Sequence, residues 1–89
     1  MPENAQPAGV AVSFARDIVP LFRPMDIQCM KGRNVFLIDY QFMSTPDNAA
    51  MVKSYLTGDS TPRMPYGGPY WSDDSIQLLQ SWIDGGYKP

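Results

Sequence analysis

The chain has 89 residues, no histidine and a single cysteine, Cys29, a length that suits one small domain with one core. The missing imidazole excludes Ser-His-Asp and Cys-His catalysis, most zinc centres and the usual proximal haem ligand, while a lone thiol excludes an internal disulfide, a CxxC pair and iron–sulfur ligation within the chain. Nine acidic residues against seven basic, a net charge of -2, give no footprint for nucleic acid or an anionic membrane, and no run nears the roughly 20 apolar residues of a spanning helix.

The opening stretch Met1–Gly9 has neither a basic n-region nor a long apolar h-region, so it does not read as a secretory signal. A cytoplasmic location is therefore expected, with the thiol kept reduced. Residues 1–12, rich in Pro, Ala and Gly, predict a flexible arm, and residues 13–89 a single domain. Phe14, Ile18, Leu21 and Phe22 recur at helical spacing. Pro20 is tolerated there if Asp17 caps the helix and the proline falls in its first turn. Pro24 forces a break, and Met25–Lys31 predicts a further short helix ending near Gly32. In residues 33–45, Val35, Phe36, Leu37, Ile38, Tyr40 and Phe42 look β-like. A lone strand has no partner, so the expectation is an extended loop carrying these side chains into the core.

Thr45-Pro46-Asp47 is a helix start, with threonine at N-cap, proline at N1 and an acid in the first turn. Met51, Val52, Tyr55 and Leu56 form the stripe of this helix, and Gly58 stops it. A Gly/Pro-rich loop follows to Trp71, after which Ser72 caps a last helix whose Asp73 and Asp74 complement its dipole. Ile76, Leu78, Leu79, Trp82 and Ile83 form a wide apolar face, and Gly85-Gly86 ends it. The sum is an all-α fold of three to four helices with long connecting loops.

Few residues are candidates for chemistry. Cys29 reads first as a small buried hydrophobe, with Lys31 and Arg33 near enough in sequence to activate a thiol. Met25, Cys29, Met30 and Met64 together invite Cu(I), which selects thiolate and thioether ligands, against the plainer role of methionine as a gap filler. Asp26 reads as a cap accepting from the N–H of Gln28 or Cys29 rather than as a buried base. Tyr66, Tyr70 and Trp71, set among glycines and prolines, are the candidates for contact with a protein partner. Gly67-Gly68 lacks the spacing and the Lys-Ser/Thr of a phosphate loop.

The order of features resembles the cytochrome c-like domains of bacteria. A helix reading Phe14-Ala15-Arg16-Asp17-Ile18-Val19-Pro20-Leu21-Phe22 precedes a cysteine, Arg63-Met64-Pro65 follows a variable middle, and the last helix ends Trp82-Ile83-Asp84-Gly85-Gly86. In that family a Cys-x-x-Cys-His motif attaches the haem and the methionine of Arg-Met-Pro ligates iron from the other side. Here the resemblance places Asp26 at the first cysteine, Cys29 at the second, Met30 at the histidine and Met64 at the distal ligand. It implies a haem-free relative with no cofactor, no metal and no catalytic residue. Met30, Met64, Phe36, Phe42, Tyr66 and Trp71 are expected to fill the space of the macrocycle. The function it implies is that of a non-catalytic interaction module supporting a partner, by analogy a redox enzyme. The alternative is a small binder of Cu(I) or of noncovalent haem through Cys29 and Met64.

Overall fold

The computed structural model describes residues 11–65 and 67–89. All regular structure among them is helical. The arm of the chain lies outside the described residues up to position 10, but Val12, assigned to that arm from sequence, is buried in the core.

The first helical segment is two distinct turns: a wide π-type turn, Phe14–Ile18, followed by a 3₁₀ turn, Val19–Leu21. Ser13, not Asp17, is its cap. The Ser13 hydroxyl accepts from Arg16 N–H at 3.3 Å, and the Asp17 carboxylate accepts from Ser13 N–H at 2.8 Å. Pro20 lies in the first turn of the 3₁₀ segment, where its missing N–H costs nothing.

Helix α1, Pro24–Lys31, carries proline in its first turn. Asp26 closes this end from inside the helix, not from its cap. Its Oδ2 accepts from the backbone N–H of Arg23 at 3.1 Å, and the Arg23 guanidinium holds the same carboxylate through Nε at 3.0 Å and Nη2 at 2.9 Å. The expected acceptance from Gln28 or Cys29 is replaced by this backward contact, because Asp26 stands at the third helical position.

Residues 33–45 also depart from expectation. A short helix α2, Tyr40–Met43, forms where an extended loop was expected, because the Asp39 carboxylate accepts from Gln41 N–H at 2.9 Å and Phe42 N–H at 3.4 Å. Val35, Leu37 and Met43 enter the core, while Phe36 is 38% exposed and Ile38 is exposed as well. The run splits by alternation, one side chain in and the next out.

Helix α3, Pro46–Thr57, begins after Thr45 and ends at Gly58, whose φ of 91° is the left-handed conformation that glycine takes freely. The Thr45 hydroxyl donates back to Gln41 C=O at 3.0 Å instead of capping α3. Helix α4, Asp73–Asp84, is capped by Ser72, whose hydroxyl accepts from Ser75 N–H at 3.2 Å. The core runs through Ile18, Leu37, Met43, Val52, Leu56, Leu79 and Trp82, all fully buried.

The last residues bind the first helical turn. Phe14 N–H donates to Lys88 C=O at 2.9 Å, Ala15 N–H to Pro89 C=O at 3.2 Å, and the Trp82 indole N–H to Lys88 C=O at 2.8 Å. The Tyr40 hydroxyl donates to Tyr87 C=O. Around these bonds, Phe14 packs on Trp82 and on Tyr40, and Tyr87 meets Trp82 edge-on.

Candidate functional site

Of the site positions read from sequence, Asp26, Cys29, Met30, Met64 and Trp71 meet at one apolar hollow of about 70 Å³, lined by Phe22, Met25, Asp26, Cys29, Met30, Leu56, Met64, Pro65 and Trp71. Helix α1 supplies four of these residues. Met25 and Cys29 are one turn apart on it, as are Asp26 and Met30, so the two pairs share adjoining faces. Leu56 comes from the end of α3, and the loop between α3 and α4 closes the far side with Met64, Pro65 and Trp71.

That loop is held by backbone contacts to the end of α3. Met64 N–H donates to Tyr55 C=O at 2.9 Å, Ser60 N–H to Ser54 C=O at 3.1 Å, and the Arg63 Nε–H to Leu56 C=O at 3.3 Å. Arg63 also lies 4.2 Å from the centroid of the Tyr70 ring. These contacts tie the backbone at Met64 to the end of α3, and its side chain is buried.

Met30 and Met64 are each only 3% exposed, whereas Met25 is 70% exposed and Cys29 is exposed at the surface. The expected burial of Cys29 is therefore overturned: its face of α1 turns outward while Met30, one residue on, turns in. Of the other expected core fillers, Trp71 packs on Phe22 at 5.2 Å between centroids, and Phe42 is partly buried against Phe36. Phe36 is half-exposed, and Tyr66 lies outside the described residues. Tyr70 is 51% exposed beside Arg63, and Trp71 is half-buried on the wall of the hollow, so these two partner-binding candidates adjoin the site. Phe22 and Leu56 read from sequence as ordinary helix-stripe residues, and no local signal joins them or Pro65 to Met25.

The electrostatics are sparse. Among the described residues lining the hollow, Asp26 carries the one side-chain oxygen pair, and hydrogen bonding from Arg23 holds its carboxyl below the usual carboxylate range. Arg16 does the same to Asp17 at the start of the fold. An ionised Asp26 engaged on both oxygens is no general base. No three His, Cys, Asp or Glu side chains among the described residues are grouped to hold a metal.

The donor set does not fit a covalently attached haem. Asp26 has no thiol and is tied to Arg23, Met30 offers a thioether where an imidazole would be needed, and the hollow is well below the roughly 300–1,000 Å³ of pockets that take larger ligands. A second, larger and more open depression of about 350 Å³ lies between α3 and α4, bordered by Lys53, Asp59 and Gln80, with Lys53 Nζ donating to Gln80 Oε1. No helix among the described residues is long and apolar enough to cross a membrane. Compared with known proteins, the chain matches no family model, no curated protein and no solved structure.

Proposed function

We propose that this chain is a non-catalytic interaction module on a cytochrome c-like scaffold that has lost its haem, and that it supports a partner protein, by analogy a redox enzyme. The observation that carries this reading is the exposed apolar rim of the hollow. Met25 is 70% exposed on α1 at the hollow, Trp71 is half-buried on its wall, and Tyr70, next to Trp71 in the same loop, is 51% exposed. An exposed apolar edge of this kind suits burial against a partner, with Tyr70 and Trp71 as the large contact surfaces typical of binding hot spots. Arg63 orders Tyr70 in advance, which lowers the entropic cost of association.

Cross-linking and co-purification from the native host, followed by binding measurements with the purified partner, test this. Tyr70→Ala with Trp71→Ala is expected to weaken that complex by at least about tenfold, the loss of one good anchor contact, while the helical circular-dichroism signal persists. Unchanged binding by the double variant overturns the assignment of the surface, and a Soret band with stoichiometric iron in protein from that host overturns the haem-free reading.

A further inference from the structure

We infer that the hollow is a Cu(I) site, formed by Met25, Cys29, Met30 and Met64. This inference does not depend on the interaction reading and departs from the expectation of no metal. It rests on four sulfur side chains lining one small apolar space. Two come from one outward face of α1, one from the adjoining buried face of the same helix, and the fourth from the loop across the hollow.

Each of these placements has its own backbone cause. Met30 sits at the end of α1, where its C=O accepts from both Arg33 N–H and Val35 N–H at 2.9 Å, and Met64 is fixed by its N–H on Tyr55 C=O at 2.9 Å. The two thioethers are buried on fixed backbone, Cys29 stands at the mouth on α1, and the exposed Met25 side chain can swing over it. Methionine has three side-chain torsions, so Met25 closes on an ion at little cost. A space of about 70 Å³ exceeds what one water needs and accommodates a single monovalent ion between flexible sulfurs.

The chemistry of the lining selects the ion. Thiolate and thioether donors favour Cu(I), whereas Mg²⁺ and Ca²⁺ require oxygen ligands and divalent copper or zinc favours imidazole. The chain has no histidine, and both Asp26 oxygens are occupied by Arg23. On binding, the Cys29 S–H bond breaks, its proton passes to solvent, and the thiolate electron pair bonds the copper; the thioethers donate lone pairs and no redox change occurs. The resulting thiolate–Cu⁺ unit is neutral, which suits an apolar lining.

Anaerobic titration of the full chain with Cu⁺ against bicinchoninate as competing chelator tests the site, with size-exclusion chromatography and copper X-ray absorption on the product. One Cu⁺ per monomer in an all-sulfur environment is expected. Cys29→Ser, Met25→Leu and Met64→Leu are each expected to weaken binding by at least about tenfold, the loss that removal of even an outer partner brings. Met51→Leu, away from the hollow, is expected to bind as the parent does. Methionine-to-leucine exchange conserves volume, and Met25 is so exposed that its variant carries no risk to the fold. Parent-like affinity in both Met25→Leu and Met64→Leu overturns the proposal, because copper is then held by the surface thiol alone. One copper shared by two chains, or parent-like affinity in Cys29→Ser, overturns it equally.

Discussion

Asp26 shows how one side chain's environment decides its chemistry. Its carboxylate accepts the Arg23 backbone N–H and two guanidinium contacts at the start of α1, and this holds its pKa below the ordinary carboxylate value. A lowered folded-state pKa means that the ionised form is worth more in the folded chain than in the unfolded one. The stabilisation is therefore fully present above the unfolded pKa of about 3.9 and is lost as pH falls through the lower folded value. Asp26→Asn is expected to cost about 1 kcal/mol at pH 7, a hydrogen-bonded charge discounted for the partial exposure of Arg23. The difference should shrink toward zero as pH falls through the folded value. Urea unfolding across a pH series checks this, and a gap independent of pH would show that the carboxylate contributes shape and not charge. The sequence marks Asp26 as a cap accepting from Gln28 or Cys29 N–H but not as the partner of Arg23, because Pro24 opens the helix and puts Asp26 inside it.

At the scale of elements, the segment from α3 to α4 is governed by one glycine. Gly58 ends α3 with φ 91°, and a Cβ there would lie 3.0 Å from Arg63 Cδ and 3.3 Å from its Nε. Gly58→Ala thus combines left-handed backbone strain with displacement of the arginine that donates to Leu56 C=O and covers Tyr70. A loss of about 1–2 kcal/mol is expected in denaturant unfolding. Tyr70 mobility should rise with it, read as a sharper, more intense NMR ring signal; an unshifted unfolding midpoint would show that Arg63 yields without consequence. The stop at Gly58 and the start at Thr45-Pro46 were legible in the sequence, because caps and stops act within a few residues. Helix α2 was not legible. Its Asp39 cap is hidden in a run of β-branched and aromatic residues whose local preference is for extended backbone.

In the whole molecule, the contacts between its two ends connect α4 to the first turn. Trp82 is fully buried against Phe14 and Tyr87, and its indole N–H donates to Lys88 C=O. Trp82→Phe removes the donor, leaves that carbonyl short of a partner and reduces the packed volume. A cost of about 2–3 kcal/mol is expected from the hydrogen bond and the partial cavity together. Domains of this size hold roughly 0.05–0.15 kcal/mol per residue, so such a loss is a large share of the total. Thermal melting followed by tryptophan fluorescence and circular dichroism should show one shifted transition in both probes. Two separated transitions would mean that the paired ends unfold apart from the α2–α3 core.

The sequence by itself determined the helical class, most helix limits and the chemistry that is absent, since no fold can supply an imidazole or a second thiol that the chain lacks. It also placed Asp26, Cys29, Met30 and Met64 as the positions to watch. Only the tertiary structure decided that these residues line one hollow together with Phe22, Leu56 and Trp71, and that Cys29 faces outward while Met30 faces in. Capping and periodicity act through neighbours along the chain. Burial and the gathering of four sulfurs require a loop beyond α3 to be carried back onto α1, and that is set by hydrogen bonds to Tyr55 and Leu56 which no short window of sequence contains.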